Sequence, residues 1–175
     1  VCSSDLLVID LLTAIVDLHM CLVSRRNSFV DGLVAKAERL GLSDRLHILP
    51  YVPAAQVTHY LSGATFGFSP LEHHQNHELA CPTKLYEYVH AGIPIVTSDV
   101  IESARFVTAN KVGTVFPARD GQAVVAAVKE VLENPAKYRN SISNEVLQAT
   151  VWPAQTPVIG AAYERAIAMA SQRQD

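Results

Sequence analysis

One segment, which runs from Cys81 to Thr97, constrains the fold of this chain more than any other. Its residue order predicts a loop, a short helix, a glycine stop and a buried strand. Pro82 favours a helix start, and Thr83 is a good N-cap residue. Gly92 suits the left-handed position at which helices end, and the apolar residues after it are typical of a buried parallel strand. The segment therefore predicts one helix–strand unit of an α/β sheet.

The rest of the chain shows the same alternation of helices and strands. The predicted strands are short, apolar and without strict alternation, and they cover 19–23, 46–49, 64–69, 93–97 and 112–116. The predicted helices cover 5–16, 28–40, 54–62, 83–91, 100–109, 121–132, 135–148 and 155–171. Asp99 with Glu102 predicts a capping box, and Asn134 and Asp120 are predicted N-caps. This order predicts an α/β fold: a doubly wound, Rossmann-like, mostly parallel sheet with helices on both faces, which binds ligands beyond the carboxyl ends of its strands.

The composition bounds the class of protein. The 175 residues predict one domain, 1–175, and 49% of them are hydrophobic, which is enough for a core. The net charge of −3 gives no basic field, so we expect no nucleic-acid partner. Three cysteines far apart favour a reduced, cytoplasmic setting. Because Asp10, Asp17 and His19 interrupt the apolar run Leu6–Val23, we read that run as a helix and a strand rather than a membrane span.

Lys84 is the residue that points to a ligand. A cation in the first turn of a helix opposes the helix dipole, which favours anions there. The position makes sense if an anion such as a phosphate binds at the helix N-terminus. Glu87 lies one turn further on and therefore on the same helix surface. The competing interpretation is a solvated lysine and a solvated glutamate.

The segments Pro-Thr-Lys-Leu-Tyr-Glu-Tyr (82–88) and Ala-Gly-Ile-Pro-Ile-Val (91–96) resemble the donor-binding helix of GT-B glycosyltransferases, family 4 in particular. The resemblance extends from about Leu11 to Tyr163. It implies that residues 1–175 form the nucleotide-sugar-binding C-terminal domain, which is one half of a GT-B fold. The chain opens on Val1 rather than Met, and the family has an N-terminal acceptor domain, so we expect that domain upstream of this chain.

The resemblance also implies roles for individual residues. Glu87 would hold the ribose hydroxyls of the donor, since a carboxylate accepts two hydroxyl hydrogen bonds at once. Lys84 and the helix N-terminal amides from Thr83 through Tyr86, with Leu85 among them, would cradle the diphosphate. Val52 lies in the segment that would border the nucleobase, although a plain turn is the alternative there. Arg25 would help to neutralise phosphate, or it is a surface arginine.

The residue that would contact the hexose stays open between Glu78 and Asn76. Glu78 is one residue away from the position of the family's first glutamate, and Asn76 matches an asparagine found in relatives. The loop around these residues is rich in histidine, but its spacing suits no common zinc site. We therefore expect a polar, substrate-facing loop, no metal and no cofactor, with a nucleoside diphosphate sugar as the donor substrate. The relatives' Gly-Arg-x-x-x-x-Lys-Gly diphosphate segment has no counterpart in the chain, so we expect that it either lies upstream of Val1 or is lacking in this protein.

The implied function is a retaining glycosyltransferase that moves a hexosyl group from the donor to an acceptor hydroxyl. The acceptor would bind through the missing N-terminal domain, so the isolated chain should be inactive. The resemblance leaves peripheral membrane association of the full-length protein open. Two alternatives remain: a nucleotide-sugar epimerase or hydrolase on the same fold, and a non-catalytic interaction module.

Overall fold

A computed structural model describes the backbone of residues 4–171 and the side chains of residues 7–171. Strands and helices alternate along this part of the chain, as the sequence predicts. The strands are β1 (Met20–Val23), β2 (Leu46–Leu49), β3 (Gly67–Ser69), β4 (Ile95–Ser98) and β5 (Gly113–Phe116). The helices are α1 (Ser4–Ala14), α2 (Ser28–Arg39), α3 (Val57–Leu61), α4 (Gln75–Leu79), α5 (Thr83–His90), α6 (Ile101–Asn110), α7 (Gly121–Glu133), α8 (Pro135–Arg139), α9 (Asn144–Ala149) and α10 (Trp152–Ser171).

All strand pairs are parallel, and they form two sheets. β1 pairs with β2, and β3, β4 and β5 pair in that order. One hydrophobic core joins both sheets, since Met20 and Leu46 of the first sheet and Val96 and Phe116 of the second belong to the same buried cluster. Helices flank the sheets, so the predicted α/β class with a parallel, Rossmann-like arrangement is confirmed.

Burial explains why α1 and α7 cover this core. Both helices carry apolar residues at helical spacing, and those residues are buried almost completely. Leu11 and Leu12 of α1 are 0% exposed, as are Val124, Val128 and Val131 of α7. The Asp120 carboxylate accepts hydrogen bonds from the amides of residues 122 and 123, which confirms it as the N-cap of α7. The burial of these apolar side chains thus offsets the conformational entropy that they lose on folding.

Several local predictions are wrong. Asp99 does not form a capping box: the N-cap position of α6 is Val100, and the Asp99 carboxylate accepts from the Ala118 amide instead. Thr83 is the first helical residue rather than the N-cap, a position that Pro82 occupies without a side-chain cap. Other differences concern the bounds of elements. The predicted helix 54–62 begins with a 3₁₀ turn, and the predicted strand 64–69 shortens to three residues. The predicted helix 135–148 divides into α8 and α9, and helix α4 was not predicted at all.

The last helix, α10, differs from the others because every residue from Pro153 to Ser171 is exposed. Pro157 lies inside it. Among residues 4–171, no helix is both long enough and apolar enough to cross a bilayer.

Candidate functional site

The site is organised by α5, which is anchored to the neighbouring strand β3. Gly67 of β3 allows the contact, because a Cβ built there would lie 2.3 Å from the ring of Tyr88. The Tyr88 hydroxyl donates to the carbonyl of Phe68 at 3.1 Å. Burial raises the pKa of Tyr88 to about 12, so this phenol stays a donor over the whole physiological range. The helix therefore cannot slide along β3 without breaking both contacts.

The end of α5 fixes its direction. Gly92 has a φ of +71°, and the Ile93 amide donates to the Tyr88 carbonyl at 3.1 Å. The left-handed residue reverses the chain directly into β4, as the sequence predicts. Because α5 is followed by β4 and packs against it in the opposite direction, its N-terminus lies at the carboxyl edge of the three-stranded sheet. This is the edge at which such folds place ligands.

The N-terminus of α5 is open. The Leu85 amide donates to the Pro82 carbonyl at 3.0 Å. The amides of Thr83 and Lys84 donate no hydrogen bond to any residue that the structure describes. Thr83 is exposed, so these amides can be reached from solvent. Unpaired amides at the positive end of a helix dipole form a binding site for anions.

Lys84 lies half-buried beside these amides. Within residues 7–171, its ammonium group makes no hydrogen bond and no ion pair. Burial lowers the pKa of Lys84, and the negative charge of Glu87 opposes that shift. Glu87 is also half-buried, and its carboxylate likewise has no hydrogen bond or ion pair with the described residues. α5 thus carries one cation and one anion, one turn apart, that the fold itself does not use.

A second group of predicted residues lies at the carboxyl ends of β1 and β2. The guanidinium carbon of Arg25 is 5.8 Å from the centroid of the Tyr51 ring, a cation–π distance. The Ser24 amide donates to the Leu49 carbonyl at 3.1 Å and holds the two strand ends together. Val52 is half-buried and Arg25 is exposed. An aromatic ring next to an arginine can stack with a planar ligand.

Glu78 and Asn76 share α4 but have different surroundings. The Glu78 carboxylate accepts from the Ile101 amide at 2.8 Å and contacts His73 Nδ1 at 2.5 Å. The Ile101 hydrogen bond, followed by that of His73, lowers the pKa of Glu78. Asn76 is exposed, and no hydrogen bond joins its side chain to a described residue. Glu78 is therefore occupied by protein contacts, whereas the amide of Asn76 is available.

The predicted residues thus form three groups, on α5, on α4 and at the ends of β1 and β2. No hydrogen bond or ion pair between described residues joins one group to another. Sequence reasoning missed the link between His73 and Asp99, whose Nε2 and Oδ1 atoms are 3.0 Å apart. The signal was present in part, because Asp99 directly follows β4 and His73 lies in the loop after the adjacent strand β3. Among residues 7–171, no group of three or more His, Cys, Asp or Glu is arranged to hold a metal ion.

Comparison with known sequences gives the family. The family described as "Glycosyl transferases group 1" matches residues 8–148, which is most of the chain. The chain therefore belongs to the group 1 glycosyltransferases. A search of curated protein sequences finds no significant match.

Solved structures agree on the fold. Sucrose-phosphate synthase from Thermosynechococcus elongatus superposes with a TM-score of 0.78 at 21% identity, over 95% of this chain and 42% of that one. WaaG, a glycosyltransferase involved in lipopolysaccharide biosynthesis, gives 0.64 at 16% identity, over 85% and 38%. HepE from Anabaena, solved in complex with UDP, gives 0.60 at 16% identity, over 93% and 44%. This chain spans about two fifths of the length of each, and it has the fold of one Rossmann-like half of a GT-B protein.

Proposed function

We propose that this chain is the donor-binding domain of a retaining, family 4-like glycosyltransferase that takes a hexosyl group from a nucleoside diphosphate sugar. Membership of the group 1 family supports the glycosyltransferase class. The observation that carries the choice of ligand is Lys84. Lys84 is half-buried beside open helix N-terminal amides, and it has no partner among the described residues. Burying its charge costs free energy, which a bound diphosphate would offset.

In this proposal, α5 reads two parts of the donor. The amides of Thr83 and Lys84 and the Lys84 ammonium face the diphosphate, and they stabilise the charge that grows on it as the glycosyl bond breaks. Glu87 lies one turn further into the helix and accepts hydrogen bonds from the two ribose hydroxyls. The half-buried carboxylate has no other hydrogen-bond partner within the described residues, which supports this role.

Arg25 and Val52 would contact the nucleotide from the carboxyl ends of β1 and β2. Val52 would border the nucleobase, with Tyr51 beside it as a flat surface. Arg25 is held over the Tyr51 ring and carries a second positive charge toward the phosphates. Two cations, Lys84 and Arg25, suit a ligand with two negative phosphate groups.

Asn76, rather than Glu78, is our choice for the contact with the hexose. Both Glu78 oxygens already accept hydrogen bonds, one from Ile101 and one from His73. Breaking them to bind a hydroxyl would exchange two hydrogen bonds to a charged group for new ones with little net gain. The exposed amide of Asn76 carries no such cost.

Donor binding is tested most directly by calorimetry with UDP, GDP and ADP, each compared with its nucleoside. UDP comes first because HepE was solved with it. We expect at least one diphosphate to bind more tightly than its nucleoside. Lys129 is exposed on α7, so Lys129→Ala is the matched control for a variant at Lys84. No binding of any diphosphate at millimolar concentration would refute the proposal for this domain.

Acceptor binding and turnover require a second domain. Glycosyl transfer needs donor and acceptor held together, and orientation can contribute roughly 7–11 kcal/mol to lowering the barrier. We therefore expect the chain alone to bind donor without transferring sugar, and a protein extended upstream to transfer it. Analysis of the anomeric configuration of the product by NMR tests retention, and it also distinguishes transfer from epimerisation or hydrolysis.

A further inference from the structure

His73 lies between two carboxylates. Its Nδ1 atom is 2.5 Å from Oε1 of Glu78, and its Nε2 atom is 3.0 Å from Oδ1 of Asp99. Each carboxylate also accepts a backbone amide. Glu78 Oε2 accepts from Ile101 at 2.8 Å, and Asp99 Oδ1 accepts from Ala118 at 2.8 Å. We call His73, Glu78 and Asp99 the His73 cluster.

The geometry requires a charged imidazole. A neutral imidazole carries one N–H and one lone pair, so it can donate to only one carboxylate, and its lone pair would then face the other. When both carboxylates are ionised, both contacts are hydrogen bonds only if both ring nitrogens carry protons. The hydrogen bond to Glu78 raises the pKa of His73, with further contributions from the charges of Asp99 and Glu78 that outweigh desolvation.

The cluster connects the loops that follow three neighbouring strands. His73 and Glu78 lie between β3 and α5, Asp99 follows β4, and Ala118 follows β5. A second ion pair, Glu72–Arg119 at 2.5 Å, joins the first and third of these loops. The cluster therefore holds the segment 70–82, which leads into the open N-terminus of α5, against the rest of the carboxyl edge.

The charged groups around His73 come from each neighbouring loop. Glu78 comes from α4, Asp99 from the start of the α6 segment, Arg119 from the loop after β5, and Glu72 is adjacent in sequence. Three of these four groups are carboxylates. An imidazolium is thus the charge that makes this arrangement favourable.

We propose that His73 is a pH-dependent positioning residue. When it is protonated, it holds the 70–82 segment against the loops after β4 and β5. When it loses its proton, it releases one of its two carboxylates. Since the folded pKa of His73 is raised, the stabilisation is complete below the ordinary imidazole value of about 6.5 and is lost as the pH rises through the folded value. On the acid side it persists until Glu78, whose pKa is lowered, takes up a proton.

The test uses the ligand-free chain labelled for NMR, so it does not depend on donor binding. The ring titration of His73 is followed, and His74, an exposed histidine of the same loop, provides the control variant. Amide hydrogen exchange at Ile101 and Ala118 is measured at pH 6 and pH 8.5 and corrected for the intrinsic rate. His73→Gln removes the titrating group, and His74→Gln is the matched control.

We expect the titration midpoint of His73 to lie above the ordinary imidazole value of about 6.5. Protection against hydrogen exchange should fall by about two- to fivefold from pH 6 to pH 8.5 at the backbone amide that donates to the released carboxylate. This size is consistent with an exposed ion pair. This fall should persist in His74→Gln and be absent in His73→Gln. A His73 midpoint at or below that ordinary value would overturn the proposal. The proposal would also be overturned if the protection of the Ile101 and Ala118 amides stayed the same at both pH values and was equal in the wild type and in His73→Gln.

Discussion

Replacing Lys84 with methionine should change stability and ligand affinity in opposite directions. Lys84→Met keeps an aliphatic stem that can pack where the lysine stem packs, and it removes only the charge. That charge opposes the α5 dipole and is half-buried without a hydrogen-bond partner among the described residues. Removing a dipole-opposing charge should stabilise the folded state by about 0.3–1 kcal/mol.

The effect on the diphosphate is larger. A hydrogen bond to a charged group contributes about 1.5–3 kcal/mol. The loss of the ammonium should therefore weaken diphosphate binding by about 10- to 150-fold at 25 °C. The affinity for the matched nucleoside should stay within about twofold, because Lys84 is not expected to contact the base or the ribose.

Two assays measure these effects: urea unfolding for stability, and calorimetry with a nucleoside and its diphosphate for affinity. Stability also has a pH signature. Burial holds the pKa of Lys84 below its ordinary value of 10.5, so the unfolded chain binds more protons than the folded chain in that range. Stability from this group should thus rise with pH as Lys84 loses its proton, and that rise should be absent in Lys84→Met.

Either of two results would contradict this role of Lys84. If Lys84→Met lowers the free energy of unfolding by more than about 1 kcal/mol, the charge has a structural partner. If Lys84→Met weakens the binding of nucleoside and of diphosphate equally, Lys84 does not contact the phosphates. Lys129→Ala, on the exposed face of α7, should change neither binding constant.

Three further predictions concern other residues and the chain as a whole. Glu87→Gln should weaken binding of the nucleoside itself by about 1–3 kcal/mol while leaving the melting temperature within a few degrees; unchanged nucleoside affinity in calorimetry would remove the ribose role. Gly67→Ala should destabilise the fold by about 1–3 kcal/mol in urea unfolding, because the new Cβ would lie 2.3 Å from the Tyr88 ring; a neutral effect would show that α5 can move away from β3. The chain alone should show no glycosyl transfer when assayed beside a version extended upstream by a second domain, and equal rates for the two would show that it is a complete enzyme.

The order of elements could be predicted from sequence because the signals are local. Gly92 adopts the positive φ that its position requires, and Asn134 and Asp120 cap helices as predicted. These residues act on backbone groups within four positions of themselves. Their chemistry therefore determines the structure with little help from tertiary contacts.

The errors arose where a distant residue competes for the same group. Asp99 has the sequence context of a capping box, but its carboxylate accepts from Ala118, 19 residues away, and contacts His73, 26 residues away. The cap of α6 is supplied by Glu78 from a different helix. Rules based on nearby sequence cannot predict these long-range hydrogen bonds, because the bonds depend on which strand ends become neighbours.

The site was predictable in part for the same reason. The α5 residues Lys84 and Glu87 stand on one short helix, so their proximity follows from helical spacing. The separation of Asn76 from Glu78 was not predictable, because it depends on the contact of Glu78 with His73 and Ile101. The division of the parallel strands into two sheets also depends on contacts far apart in sequence.

The central claim is that the open N-terminus of α5 binds the diphosphate of a nucleotide-sugar donor. The most direct measurement is a calorimetric titration of the wild-type chain with UDP and with uridine, repeated with Lys84→Met. We expect UDP to bind more tightly than uridine to the wild type, and we expect this preference to be largely lost in the variant. Preference for UDP that is equally strong in both proteins would contradict it, because the phosphates would then be bound elsewhere.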